Sequence, residues 1–484
     1  MGLLAAAISK TGEDVSTILL RMLSPAISAG GESFGVATDE GTVIKKSLAE
    51  LEAPGASAML GYATLKIEPL DPAQPLSQHG YSFVFDGRLW YNEGAPDVLT
   101  AADALGRNPE DGVKRMIREM RGSYAIAALD KSGIHCGRDP MGVVPLYYAE
   151  SSDVAAVATC RKMLWTAGLE ANSFPPGHAG KITEAGVSVE RIKTLDLAAP
   201  VTISMDDAID ILDQLLTKAV ETRCRGLLQG ALGFSGGIDS SLLAHYLDKA
   251  GADIDLICVG MEGSKEFATA ERAADSLDLP LKMEAFTQED MEADLDAVLW
   301  AIEEPDPMKT AVALPLYWVA RIASDSGSRV FFSGNGSDEL FGGYRKYVTE
   351  YVERGETVRE TMYADVVASY EVNHERDHKI CMEHGMELRL PFADLGLVEF
   401  GLSLPTELKL SLEPDSPRKL VLRRLAEKLG FPEEVAQKPK RAVQYSTGVN
   451  NALRKLARRE GKSLPGFLGN RFEELKKKRL GDNP

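Results

Sequence analysis

The sequence contains few cysteines, and none of them is placed for a metal or disulfide framework. Five cysteines occur in 484 residues, far apart and without a Cys-x-x-Cys pair. Zinc sites need closely spaced Cys or His ligands, which are missing here. We therefore expect reduced, buried thiols and no zinc module.

Long apolar runs and an excess of positive charge are also missing. No apolar stretch approaches the roughly 20 residues that a membrane span needs, and the N-terminus lacks the basic and apolar regions of a signal peptide. The net charge is −18, whereas nucleic-acid binding requires a concentrated basic surface. We expect a cytoplasmic protein with no membrane and no nucleic-acid partner.

Two patterns of predicted elements follow each other along the chain. The first 190 or so residues show short alternating strands broken by Gly and Pro, with helices near 13–23 and 108–120, which indicates an antiparallel α+β domain. After about residue 204, apolar strands alternate with helices, which is typical of an α/β domain with a parallel sheet. Beyond about residue 345 the pattern is largely helical. The sequence predicts two domains, 1–195 and 204–484.

The stretch "LGFSGGIDSS" ends the first predicted parallel strand. Gly236 and Gly237 allow the backbone to approach an anion closely, and the helix that follows directs its free N–H groups to the same point. Hydroxyl groups come from Ser235, Ser240 and Ser241. The lysine of a P-loop is absent, so γ-phosphoryl transfer is not indicated.

An aspartate beside phosphate groups implies a metal ion between them, and Asp239 stands in this loop. A second acidic loop, "SGNGSDELFGGY", follows another predicted strand, so Asp338 should emerge on the same edge of the sheet. Two carboxylates from separate strand ends can hold a magnesium ion that neutralises departing pyrophosphate. We predict Asp239 and Asp338 as Mg²⁺ ligands.

These motifs, with "NHERDHKICMEHGMELRLPFAD", "KPKRAVQYSTG" and the N-terminal "RDPMGVVPLYY", resemble the asparagine synthetase family over nearly the whole chain. The resemblance implies an N-terminal αββα sandwich of the N-terminal-nucleophile hydrolase type. It implies a C-terminal ATP-pyrophosphatase domain with a parallel sheet and a helical end. A homodimer is also compatible with the resemblance.

The chemistry implied by this resemblance is adenylation followed by amide formation, with ATP and Mg²⁺ as cofactors. A substrate carboxylate, aspartate by default, attacks the α-phosphorus of ATP, and pyrophosphate leaves. Ammonia or another amine then displaces AMP. The implied small-molecule partners are therefore a carboxylate and an amine.

Site residues are carried over by motif position. Those expected to contact the nucleotide are Ser235, Gly236, Gly237, Asp239, Ser240, Ser241, Val259, Ser333 and Gly334. Lys440, preferred over Lys438, is expected to stabilise charge at the α-phosphate. Glu387 with Arg389 forms an acidic-basic pair that is either catalytic or a buried structural ion pair.

The N-terminal half departs from the family where glutamine would be hydrolysed. Gly2 stands where the family has a nucleophilic cysteine, and glycine has no side chain to attack an amide. The family's Asn-Gly-Glu stretch reads Asp86-Gly87-Arg88, so an acid replaces the oxyanion-stabilising amide and a base replaces the acid. The expected arginines are also missing at 28–32 and 64–65. We predict that this domain hydrolyses no glutamine.

Asn335 is a further departure, because the family has at this position a glutamate that takes a proton from the attacking amine. An amide is no base near neutral pH, so another group, a second substrate molecule or water must accept that proton, although Asn335 could still orient an intermediate. Two alternatives stay open: a lactam- or peptide-closing synthetase of the same fold, and a non-catalytic ATP-binding regulatory paralogue.

Overall fold

The structure is a computed structural model that describes residues 1–65, 67, 71–92, 94–413, 416–438 and 443–481. Its internal contacts divide the chain into two compact units. The N-terminal unit comprises Met1–Thr194, Met382–Gly385 and the residues from Lys476 onward. The C-terminal unit comprises Leu195–Cys381 and Met386–Leu475. No helix in the described ranges is both long and apolar enough for a membrane span.

The N-terminal unit is built of thirteen described strands and four described α-helices. The strands are β1 Gly2–Ser9, β2 Ser33–Ala37, β3 Thr42–Lys45, β4 Ala58–Thr64, β5 Leu76–Gln78, β6 Tyr81–Leu89, β7 Gly122–Asp130, β8 Gly133–Arg138, β9 Tyr147–Glu150, β10 Val154–Ala158, β11 Asn172–Ser173, β12 His178–Thr183 and β13 Gly186–Arg191. The helices are α1 Ser16–Leu23, α2 Asp97–Leu105, α3 Pro109–Glu119 and α4 Arg161–Trp165.

These strands form two antiparallel sheets that pack face to face. One sheet has the order β11-β9-β10-β1-β4-β2-β3 and the other β13-β12-β8-β7-β6-β5. Side chains of β1 alternate between the layers: Leu3 packs in a cluster with α1 and α4, whereas Leu4 packs against the second sheet. Helices α2 and α3 cover the outer face of that second sheet. The predicted αββα sandwich is confirmed.

The C-terminal unit contains the parallel sheet and the remaining helices, two of which have their last residues in the N-terminal unit. Its strands are β14 Gly230–Gly233, β15 Ile254–Met261, β16 Leu281–Phe286, β17 Val330–Phe332 and β18 Glu387–Arg389. The helices are α5 Met205–Cys224, α6 Ile238–Lys249, α7 Glu266–Ser276, α8 Gln288–Ile302, α9 Pro307–Asp325, α10 Ser337–Phe341, α11 Arg345–Arg354, α12 Val358–Ser369, α13 Glu375–Glu383, α14 Leu395–Ser403, α15 Leu420–Lys428, α16 Glu433–Ala436, α17 Val443–Ser446, α18 Val449–Arg459 and α19 Leu464–Leu480.

The order of the parallel sheet determines where a ligand can bind. The strands run β16-β15-β14-β17-β18, and every neighbouring pair is parallel. From β14 the chain adds β15 and β16 on one side, and then β17 and β18 on the other. Loops therefore diverge at the carboxyl ends of β14 and β17, which opens a crevice at this switch point. The predicted class of the C-terminal domain is confirmed.

Candidate active site

A cavity of about 860 Å³ lies at the carboxyl ends of the parallel strands. Its walls come from the loops after β14, β15 and β17, from helices α7 and α9, and from residues within 434–438 and 443–447. A cavity of this size falls in the range of small-molecule sites. Eight of the nine residues that the sequence predicted around a nucleotide line this cavity, and Ser241 is the exception.

The Gly-rich turn after β14 exposes backbone groups to the cavity. Gly236 adopts φ +62°, and a Cβ at this residue would lie 2.8 Å from the Cβ of Ala273, so only glycine fits without movement. The N–H of Gly237 donates to the hydroxyl of Ser235 at 3.2 Å. Helix α6 begins at the next residue, Ile238, which places its positive end beside the turn.

Four side chains from three distant parts of the chain meet next to this turn. The Lys419 ammonium lies 2.6 Å from Oδ1 and 2.7 Å from Oδ2 of Asp239, and 2.7 Å from Oδ1 of Asp338. The hydroxyl of Ser337 donates to Asp239 at 2.7 Å. Lys419 is 1% exposed. The two carboxylates predicted to bind Mg²⁺ therefore already share one buried cation.

The two carboxylates suit a magnesium ion that arrives with phosphate groups. Magnesium usually binds through one or two carboxylates together with substrate phosphates and water. Asp239 and Asp338 supply that number of ligands and point to a common position occupied by the Lys419 ammonium. The described residues contain no group of three or more His, Cys, Asp or Glu side chains that could hold a metal. The donor set thus fits a metal-nucleotide complex rather than an all-protein metal site.

Asn335 lies in the loop after β17 and contacts an acidic residue that the sequence analysis did not single out. Its Nδ2 donates to Oδ2 of Asp377, a side chain on α13 that lines the same cavity. Arg376 donates from Nε to Oδ1 of Asp377 at 2.7 Å. Burial raises the pKa of Asp377, although Arg376 and Asn335 oppose the shift.

The remaining predicted residues divide into those that reach the cavity and those that do not. Val259, Ser333 and Gly334 line it, whereas Ser241 is fully buried and not among the described lining residues. The Lys438 ammonium donates to the carbonyl oxygen of Ser235 at 2.9 Å. Lys440 lies outside the described residues, so its predicted role stays a prediction.

Glu387 and Arg389 form a buried pair on β18. Nε of Arg389 donates to Oε1 of Glu387 at 2.7 Å, and Arg389 also donates to the carbonyl oxygen of Arg223. Neither is among the described residues that line the cavity. Their geometry is that of a structural ion pair, and the catalytic role of Glu387 stays a prediction.

The N-terminal unit is tightly filled where the family's glutamine site would lie. A Cβ at Gly2 would sit 2.2 Å from the carbonyl oxygen of Ala63. The N–H of Gly2 donates to Oδ1 of Asp86 at 2.8 Å, and Arg88 makes two hydrogen bonds to Asp71 at 2.6 and 2.8 Å. The cavity here measures about 10 Å³, which is roughly the space for one water molecule.

Comparison with known proteins agrees with this architecture. Residues 211–356 and 350–475 match the Asparagine synthase family. The chain belongs to the asparagine synthase family. Residues 66–166 also match the Glutamine amidotransferase domain family, which agrees with the sandwich of the N-terminal unit.

Curated relatives in this family cover most of the chain. The putative asparagine synthetase [glutamine-hydrolyzing] 1 of Methanocaldococcus jannaschii is 32% identical over 413 residues, which is 75% of this chain and 76% of the relative. The human asparagine synthetase [glutamine-hydrolyzing] is 27% identical over 436 residues, covering 80% and 76%. The enzyme of the same name from Sandersonia aurantiaca is 28% identical over 411 residues, covering 79% and 77%.

Proposed function

We propose that this asparagine synthase family member is an ATP-dependent amide-forming ligase that uses free ammonia or another amine rather than glutamine. It adenylates a carboxylate, aspartate by default, and releases pyrophosphate and AMP. The observation that carries the proposal is the convergence of Asp239, Asp338 and Lys419 beside the Gly-rich turn and the start of α6.

The adenylation step follows from the charges around this turn. Backbone N–H groups at the start of α6 favour a bound anion, and Lys419 offers a fixed positive charge in a buried position. Magnesium bound by Asp239 and Asp338 would supply further charge neutralisation for departing pyrophosphate. Lys438, held against the turn by the Ser235 carbonyl, and the predicted Lys440 would add positive charge near the α-phosphate.

Independence from glutamine is supported by the N-terminal unit. The relatives named above are described as glutamine-hydrolysing, yet Gly2 offers no nucleophile here. The surrounding backbone also leaves no room for a Cβ. Asp86 would place an acid where an oxyanion develops, which opposes that chemistry. A cavity of about 10 Å³ is far too small for a glutamine side chain.

An ATP–pyrophosphate exchange assay with a panel of carboxylic acids tests the proposal. We expect exchange that depends on Mg²⁺ and is stimulated by aspartate, and amide formation with ammonium chloride but not with glutamine. Exchange with other acids only would favour the lactam- or peptide-closing alternative. Absence of exchange with every acid tested would contradict the proposal and favour the ATP-binding regulatory protein. Sustained release of glutamate from glutamine would contradict glutamine independence.

A further inference from the structure

Amide formation requires a group that takes a proton from the amine, and Asn335 occupies the place where the family has a glutamate for this task. Ammonia becomes positively charged as it attacks the acyl-adenylate, so a base must accept one proton. A carboxamide is not basic near neutral pH. The inference that follows rests on the proposed amide-forming function and concerns its second step.

Asp377 is a carboxylate that reaches the same cavity and is bonded to Asn335. Its side chain is 2% exposed, and its Oδ2 accepts the hydrogen bond from Nδ2 of Asn335. An ionised carboxylate can only accept hydrogen bonds, so the amide of Asn335 must turn its NH₂ group toward Asp377. The carbonyl oxygen of that amide is thereby directed away from the carboxylate, and the orientation of Asn335 is fixed.

The backbone before Asp377 is a π-helical segment, Tyr370–His374, which leads directly into α13. A π-bulge shifts the register of the helix that follows it, and such bulges are frequent at functional sites. This segment is followed by a run of ionisable residues that are all buried: Glu375, Arg376, Asp377, His378 and Lys379. Charged residues are seldom fully buried in a helix unless they are paired or functional.

The environment of Asp377 suits a proton acceptor. Arg376 binds Oδ1 of Asp377 and is itself held by the Val372 carbonyl and by Asn373 at 3.1 and 3.2 Å. Burial outweighs this ion pair, so the pKa of Asp377 lies above its ordinary value. A carboxylate with a raised pKa accepts a proton more readily at neutral pH.

The other acidic residues at the cavity are less suited to the task. Asp239 and Asp338 are both held by Lys419 at 2.6 to 2.7 Å, and they are the predicted metal ligands. Glu266 and Glu434 also line the cavity, but no described hydrogen bond joins either of them to Asn335. Asp377 combines access to the cavity with a direct bond to the residue that replaces the family's glutamate.

We propose that Asp377 is the catalytic base of the amide-forming step and that Asn335 is its positioning residue. The nitrogen lone pair of the amine forms the new bond to the acyl carbon. One N–H proton passes to the carboxylate of Asp377. The bond between the acyl carbon and the phosphate oxygen breaks, and its electron pair leaves with AMP. Asp377 then releases the proton to solvent, so the balance is acyl-adenylate plus ammonia giving amide, AMP and a proton.

The test compares the two half-reactions in Asp377→Asn. ATP–pyrophosphate exchange reports adenylation, and single-turnover amide formation with ammonium chloride reports the second step, both with the acid that stimulates exchange most strongly in the unmodified protein. We expect amide formation to fall by 10² or more, which is typical for loss of a general base. Exchange should stay within about threefold, a range small beside that loss.

Asp394→Asn is a matched control, because Asp394 is also buried and paired with an arginine, Arg223, at 3.0 Å, but is not among the described lining residues. Its ratio of amide formation to exchange should equal that of the unmodified protein. An equal loss of both rates in Asp377→Asn, or no loss of amide formation, would overturn the inference alone. Absence of exchange in the unmodified protein would overturn the proposed function and with it this inference.

A second variant tests whether Asp377 accepts a proton in the reaction or only stabilises the fold. Asn335→Glu combined with Asp377→Asn returns a carboxylate to the loop after β17. We expect amide formation at least about tenfold above that of Asp377→Asn alone, since a positioned base contributes about 10²- to 10⁴-fold and a less well placed carboxylate should recover part of that factor. Failure of the double variant to exceed Asp377→Asn would overturn the assignment of proton transfer to Asp377.

Discussion

At the scale of single residues, Lys419 is held in an unusual backbone conformation. Its φ is +61°, in the left-handed region that residues other than glycine seldom adopt, and it is 1% exposed. Such conformations cost on the order of 1–3 kcal/mol and persist where the surrounding structure enforces them, often at functional sites. Here the compensating contacts are the two carboxylates at the cavity.

Replacing this lysine should separate its electrostatic role from simple burial. In Lys419→Met we expect ATP–pyrophosphate exchange to fall by about 10² or more, because a fixed positive charge in a dry site is lost. Lys409→Met is the control: Lys409 is buried outside the described cavity wall, and burial lowers its pKa to about 7. Exchange should persist in that variant, and an equal loss in both would contradict a specific role for Lys419.

A substitution at Gly2 tests the prediction that the N-terminal unit hydrolyses no glutamine. In Gly2→Cys the new Cβ would meet the Ala63 carbonyl at 2.2 Å and the ring of Tyr62 at 2.6 Å, so β1 or β4 must move. We expect a melting temperature lower by several degrees, since overpacking of a tight core costs about 1–3 kcal/mol. We also expect no glutamate from glutamine. Glutamate release by this variant would show that the supporting groups of a glutaminase persist.

The two residues that sequence reasoning missed were missed for the same physical reason: each meets its partner only in the folded chain. Lys419 meets Asp239 across 180 positions of sequence, and Asp377 meets Asn335 across 42. Neither stands in a glycine-rich turn or at a predicted strand end. Asp377 lies within the motif 373–394, but nothing in that motif shows which of its charged side chains reaches the cavity. The unbroken buried run 375–379 looks like a solvated helix face when only the sequence is read.

At the scale of elements, the turn between β14 and α6 follows from its sequence. The four apolar or small residues of β14 are followed by Phe234 and Ser235 and then by two glycines. Helix α6 starts at Ile238, and its first turn lines the cavity. The two glycines have different roles. Gly236 needs a positive φ, whereas Gly237 has φ −80° and a Cβ there would meet only the Ser235 hydroxyl, at 3.2 Å.

This difference predicts unequal effects of one added methyl group. In Gly236→Ala, strain at positive φ adds to the contact with Ala273 and with the Thr269 carbonyl, both at 2.8 Å, so the turn must shift. We expect the Km for ATP in the exchange assay to rise by tenfold or more, which corresponds to about 1.4 kcal/mol. Gly237→Ala is the matched control and should change it by less than about threefold. The reverse order would contradict the assigned geometry.

Several elements could not be predicted from the sequence because they are short or because their composition is ambiguous. Strand β18 has three residues, Glu387–Arg389, two of them charged, so it carries neither an apolar run nor an alternation. The prediction that the segment after residue 345 is largely helical is confirmed, and β18 is a short strand within it that was not predicted. Helices α2 and α4, with nine and five residues, were not predicted because their apolar positions read equally well as parts of strands. Strands β4, β6 and β7 were predicted although both of their faces are buried, because Gly and Pro residues break the sequence between them.

At the scale of the whole molecule, a buried acid links the stability of the N-terminal unit to pH. Asp139 follows β8 and accepts backbone N–H groups of Tyr124, Met141 and Gly142 at 2.8 to 2.9 Å. Burial raises its pKa to about 6. The folded protein therefore holds this proton more tightly than the unfolded chain, where the pKa is near 3.8.

The sign of the pH effect follows from this difference. Stability contributed by protonated Asp139 is complete below about pH 3.8 and is lost as the pH rises through about 6, a total of about 3 kcal/mol. Raising the pH from 5.5 to 8 removes about 1 kcal/mol of this contribution to the free energy of unfolding. The melting temperature of the unmodified protein, relative to that of Asp139→Asn, should therefore be higher at pH 5.5 than at pH 8. An identical difference at both pH values, measured by calorimetry, would contradict the raised pKa.

The N-terminal unit is made of separate segments of the chain, and this affects the order in which its contacts form during translation. That unit includes Met382–Gly385, and the buried Lys162 pairs within it with Glu383 at 3.1 Å. Domains usually fold in the order in which they are synthesised. Glu383 follows Lys162 by 221 positions, so this unit can complete that ion pair only after the intervening strands β14 to β17 of the C-terminal unit have been translated.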